Sequence, residues 1–193
     1  MALVLTSHYA AVWEDPILGT NVFAEEFMKV VLGFFILEFT MYYLVAWMYN
    51  RRDTSLLVHH YLGLIAYSIY LYTGKGYYFG IVLFAQEFSA PWTGISWILA
   101  KKNKSHTVIW LVNQWILVAV WVVFRVADDY LLLYSYYANL PRSYTHLPLI
   151  SQIILFIGVG TMAFWLNPYW LKVKATNAIN WSPEENKNFR KRE

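Results

Sequence analysis

The chain has 193 residues, of which 59% are apolar, 20% aromatic and only 14% charged, with a mean hydropathy of +0.37. An ordinary soluble domain runs nearer to about 45–50% apolar and about 25% charged, so this is the composition of an integral membrane protein. The net charge of +3 is small and the Lys and Arg gather at segment ends, which excludes a nucleic-acid surface; the lack of cysteine excludes disulfides, S-palmitoylation, zinc–thiolate sites and iron–sulfur clusters. No dinucleotide fingerprint, P-loop, HExxH or nucleophile elbow occurs, so no cofactor and no metal are expected.

Residues 1–13 are apolar but shorter than the ~20 residues of a spanning helix, and predict a partial or interfacial helix. The following EDPILGTN is loop chemistry, with Pro16 and Gly19. A first complete span is expected over 22–49, entered through Glu25, Glu26 and Lys29 and ended by Arg51-Arg52-Asp53. Thr54 or Ser55 is placed to cap a short span over 56–72, which carries the pair His59-His60. Gly74-Lys75-Gly76 turns the chain back into a span over 77–99, closed by the basic loop KKNKS. A long span follows over 107–137, then a loop, ANLPRSYTHLP, then a last span from 149 to about 170. The polar remainder has Ser182, Pro183 and Glu185 in the order that opens a short surface helix.

Threading these five spans puts eleven of the fifteen Lys and Arg on one side, which the positive-inside rule makes cytosolic together with the C-terminus. The tryptophans Trp47, Trp97, Trp110 and Trp170 are expected in a cytosolic aromatic belt, and no aromatic is given a site role.

Ionisable groups inside the apolar segments are costly and need a reason. His59 and His60 lie roughly 7 Å in from the cytosolic end of their helix, while Glu38 and Glu87 fall near the middle of theirs. A lone carboxylate there neutralises or finds a donor, and one outcome is a structural contact of Glu87 with a histidine or with Arg125. Pro91, four residues after Glu87, is expected to kink the helix and to free the Glu87 carbonyl. The alternative to a structural contact is a shared site. The helices carrying the histidines and Glu87 are joined by a three-residue turn, so His59, His60 and Glu87 are expected to converge on one polar cavity, with Glu38 and Arg125 as neighbours.

The tandem His59-His60, the EFSAP segment from Glu87 to Pro91, the Phe124-Arg125 dipeptide and Glu38 within GFFILEF resemble the TLC domain, the TRAM–LAG1–CLN8 membrane family. The resemblance runs from about residue 7 to 172, and Ser7-His8-Tyr9 is similar to the end of the family's first conserved helix, which makes the N-terminal helix incomplete. It implies an all-α polytopic helix bundle, here five full spans plus a partial N-terminal helix, with residues 1–174 as the transmembrane domain and 175–193 as a cytosolic tail. It also implies an endomembrane, endoplasmic-reticulum setting and a lipid-related role more than it implies catalysis. The basic ending Arg190-Lys191-Arg192-Glu193 resembles a dilysine-type retrieval signal, the alternative being a solvated basic tail.

The ceramide-synthase branch adds an Asp-x-x-Asp about 28 residues after the histidines. Here Glu87 stands at the first acidic position, but Ala90 occupies the second and Gly63 replaces a threonine. Asp128-Asp129 lie on another helix towards the far leaflet. The resemblance is therefore closest to the non-synthase members, and the partner it implies is membrane lipid. The runner-up is an acyl-CoA-dependent N-acyltransferase in which His59 and His60 act as nucleophile or base and Glu87 orients them. A third reading is a non-catalytic chaperone or cargo partner of the endoplasmic-reticulum membrane.

Overall fold

A computed structural model describes residues 11–49 and 53–183, and among these every regular element is helical. The elements are α1 (Val22–Tyr49), α2 (Thr54–Thr73), α3 (Tyr77–Ala85), α4 (Ala90–Lys101), α5 (Val108–Trp121), α6 (Asp128–Ala138), α7 (Leu140–His146), α8 (Leu149–Ile153) and α9 (Asn167–Ile179). A 3-10 turn, Gln86–Ser89, joins α3 to α4, and a π-helical stretch, Val122–Ala127, joins α5 to α6. Two more π-helical stretches, Ile154–Val159 and Met162–Leu166, lie between α8 and α9.

Among the described residues, two helical stretches are long and apolar enough to cross a membrane, Val22–Met48 and Leu149–Ile179. The α2 helix has 20 residues and carries two histidines, α3 and α4 are separated by the 3-10 turn, and α5 and α6 are separated by the π-helical stretch.

Local chemistry sets the ends. Asp53, not Thr54 or Ser55, caps α2: its Oδ1 accepts from the N–H groups of Ser55 and Leu56 at 3.0 and 3.2 Å, so the helix starts two residues earlier than expected. Gly74 ends α2 in the left-handed region at φ 64°, and Gly76 follows at φ 74°, backbone that a side chain would strain. The N–H of Gly76 then donates to the carbonyl of Ile17, tying the turn to the loop after residue 14. The Asn21 Oδ1 accepts from Ala24 N–H at the start of α1, where Lys29 bridges Glu25 and Glu26 at 2.9 Å each.

The chain divides into two compact units, Met1–Phe84 with Asp129–Met162, and Ala85–Asp128 with Ala163–Glu193. The first packs α1 against α2 around Met28, Phe35, Tyr67, Phe79, Leu132 and Leu155, all at most 3% exposed. Close approach here depends on glycine. A Cβ on Gly63 would stand 2.5 Å from the Phe35 ring, and one on Gly80 would stand 2.7 Å from Met28 Cε. Phe35 is buried and stacked on Tyr67, so the threonine of the synthase pattern does not fit at position 63 without displacing that ring. The second unit packs α5 against α4 and α9 around Leu117, Trp121 and Leu166.

Two expectations change. The stretch ANLPRSYTHLP contains a helix, α7, whose Ser143 and Leu147 N–H groups bond back to Asn139 and Ser143. The last helix continues past 170 to Ile179, because Lys172, Lys174, Ala175 and Ala178 are good helix formers that extend an apolar helix whose inner face still packs on α5. The partial helix at the N-terminus is described only at residues 11–14, and Arg51, Arg52, Glu185 and the basic ending lie outside the described residues.

Candidate functional site

In the first unit, α1 and α2 bring Glu38 to the histidine pair. His60 Nδ1 stands 3.7 Å from Glu38 Oε2, longer than a hydrogen bond and short enough for a charge pair once the imidazole is protonated. His59 and His60 are 9% and 5% exposed, whereas the Glu38 side chain keeps 34% of its surface. The two imidazoles have centroids 5.4 Å apart and lie against the Phe35 ring, at 6.1 Å for His59 and 6.4 Å for His60. Tyr42 adds a ring 6.0 Å from His60, and its hydroxyl accepts from Asp53 N–H at 2.7 Å. One residue thus fastens α1 to the cap of α2 and walls the imidazole. Such a cluster can hold a proton on His60 or accept a polar group brought in from the membrane.

In the second unit, Glu87 and Arg125 meet. Arg125 Nη2 donates to Glu87 Oε1 at 3.2 Å, and Arg125 Nε donates to Ser89 Oγ at 2.7 Å. Their side chains are 9% and 5% exposed, so this is a buried pair. Glu87 and Ser89 come from the 3-10 turn and Arg125 from the π-helical stretch, two places where the helix departs from α geometry. The Glu87 carbonyl is not freed by Pro91 as the sequence suggested. The turn tightens, and the N–H of Ala90 bonds to that carbonyl. Pro91 itself is exposed in the first turn of α4, where its missing N–H costs nothing.

Two residues escaped the sequence reading. Trp121 and Trp170 flank the Arg125 guanidinium, whose Cζ is 4.5 Å from one ring centroid and 5.8 Å from the other. The indoles are edge to face at 5.8 Å, and Trp121 Nε1 is fixed by the carbonyl of Asn167. Trp170, expected in an interfacial belt, is therefore a packing partner of a buried cation. The spacing was the available signal, because Trp121 precedes Arg125 by one helical turn, but one aromatic in five residues hides it. Among the described residues no three His, Asp or Glu side chains are grouped as metal ligands.

The family model for the TLC domain matches residues 1–173, which include both pairs. The chain belongs to the TLC domain family and is a membrane protein of the TLC type. It is 26% identical to Protein CLN8 of Rattus norvegicus over 188 residues, which cover 91% of this chain and 64% of that protein. It is 27% identical to Protein CLN8 of Canis lupus familiaris over 151 residues, 77% of this chain and 51% of the relative, and 26% identical to Protein CLN8 of Mus musculus over 186 residues, 92% and 64%. The chain thus spans between half and two thirds of the length of these relatives. These relatives are CLN8 proteins, in keeping with a place outside the ceramide synthases. No solved structure matches.

Proposed function

We propose that this chain is a multi-pass endoplasmic-reticulum protein that binds membrane lipid and takes part in lipid homeostasis, through two polar groups, His59 and His60 beside Glu38 in the first unit and Glu87 with Arg125 in the second. The observation that carries the reading is the burial of these groups. His59 and His60 in one unit and Glu87 and Arg125 in the other are held inside apolar helices at 9% exposure or less, a cost in hydrocarbon that a purely structural span avoids. Family membership supports the membrane setting. Acyl transfer is less well supported, since Ala90 stands where a second carboxylate would share the face of Glu87, and Gly63 is required by Phe35.

The test is to recover the full chain from the endoplasmic-reticulum membrane fraction in mild detergent and to identify bound lipid by mass spectrometry. One lipid class is expected to be enriched over the surrounding membrane, and to fall in a His59→Ala, His60→Ala double variant. A lipid profile matching the bulk membrane, or a chain found in another compartment, would overturn the reading.

A further inference from the structure

In the second unit each of two facing helical segments places a cation one turn after a tryptophan: Arg125 after Trp121, and Lys174 after Trp170. The two cations meet on one ring. Arg125 Cζ is 4.5 Å and Lys174 Nζ 5.9 Å from the centroid of Trp121, both within cation–π range. Arg125 is held from below by Glu87 and Ser89. Lys174 is half-buried and, among the described residues, paired with no carboxylate. Its neighbour Lys172 points outward instead, as a lysine at the end of a membrane helix ordinarily does.

Arg125 is neutralised by Glu87, whereas the charge that Lys174 brings over the same indole has no carboxylate beside it among the described residues. An anion beside Lys174 removes that cost. Depth suggests which anion. Lys174 lies within Leu149–Ile179, a helical stretch of 31 residues, five residues before its end. At 1.5 Å per residue such a helix is about 46 Å long, against a hydrocarbon core of about 30 Å, so a cation near its end stands at the level of lipid phosphates. A lysine suits a phosphate as a point charge, and the fixed guanidinium behind it adds positive potential without having to leave its own partners.

We propose that Lys174, with Arg125 behind it and Trp121 beneath both, binds a phosphate-bearing anion, supplied either by an acidic phospholipid headgroup or by a soluble phosphate. The inference deepens the lipid-binding reading and rests on it for the first of these sources. It uses residues, Lys174 and Trp121, that the polar groups above do not.

The experiment uses the full chain in phosphatidylcholine nanodiscs and reads its thermal unfolding midpoint in two arms, one with phosphatidic acid added to the discs and one with inorganic phosphate added to the buffer. A midpoint that rises with phosphatidic acid alone identifies a lipid headgroup, and one that rises with inorganic phosphate identifies a soluble anion. In the responding arm Lys174→Arg is expected to retain the response, Lys174→Gln to weaken apparent affinity about tenfold, and Lys172→Gln to leave it unchanged. No response in either arm, or equal losses in Lys174→Gln and Lys172→Gln, would overturn the proposal, the latter by showing diffuse surface charge. A chain that copurifies with a zwitterionic lipid and yet shows no response would keep the general lipid-binding reading and overturn this one alone.

Discussion

Arg125 has two anchors of different kinds, a carboxylate and a hydroxyl, and removing one partner of a buried ion pair leaves the other charge uncompensated. Arg125→Met is therefore expected to destabilise the second unit by about 3–5 kcal/mol, read as a lowered unfolding midpoint in detergent. Glu87→Gln keeps an acceptor for the guanidinium and should cost less, and the double variant should recover part of the loss. An Arg125→Met variant as stable as the parent would show that the pair has no structural role. The pairing of Glu87 with Arg125 was one of the outcomes legible in the sequence, because two opposite charges inside apolar helices have few other places to go. The tryptophans around Arg125 were not legible, since a spacing of four residues between Trp and Arg arises by chance in a chain so rich in aromatics. Gly63 shows a similar limit. The sequence reveals only that threonine is missing, while the Phe35 ring that forbids it comes from another helix.

At the scale of elements, α7 was read as loop because Pro141, Ser143 and Asn139 are turn formers in isolation, yet tertiary contacts hold the segment helical. Arg142 reaches Asp15 at 2.6 Å, and Lys75 donates to the carbonyl of His146 at 2.8 Å. Partial burial works against the charge of Asp15, but the Leu18 N–H, Arg142 and the Ile17 N–H outweigh it and hold the carboxyl below its ordinary value of 3.8. The sign follows. A depressed folded pKa contributes stability that is present above pH 3.8 and is lost as pH falls through the lower folded value. With side chains 31% and 46% exposed the pair is a surface bridge, worth about 0.2–1 kcal/mol. Arg142→Gln should lower the unfolding midpoint slightly at neutral pH, with the gap to the parent closing as pH falls below 3.8 through the lower folded value. A gap that does not narrow on acidification would mean that Arg142 acts through packing. The Glu87 carbonyl that Pro91 was expected to free keeps a donor for a related reason: the chain tightens to 3-10 hydrogen bonding over Gln86–Ser89, and the Ala90 N–H reaches that carbonyl.

The arrangement of the whole molecule in its membrane is where sequence and structure contribute different things. All-helical character followed from composition and from apolar segments of spanning length. The number of spans did not, since among the described residues only Val22–Met48 and Leu149–Ile179 are both long and apolar enough, and the others rest on cation placement and loop lengths. Orientation can be tested on residues already present. Asn103-Lys104-Ser105 and Asn180-Trp181-Ser182 each have the Asn-x-Ser pattern of a glycosylation acceptor. The two are neighbours, because Trp181 Nε1 donates to the carbonyl of Ser105 at 2.9 Å, so they belong on the same side of the membrane. Asn103 sits at φ 56° in an exposed turn, open to modification if that side faced the lumen. By the positive-inside rule, the cations Lys101, Lys102 and Lys104 around it make the cytosol the expected side. The chain expressed in cells is accordingly expected to carry no glycan at either position. Pro141→Asn, which makes an acceptor with Ser143 from the exposed position 141 and is glycosylated as the chain enters the lumen before Ser143 is buried, is expected to add one, read as a mass shift removed by endoglycosidase. A glycan on Asn103 or Asn180, with none gained in Pro141→Asn, would invert the topology and move the basic ending out of the cytosol.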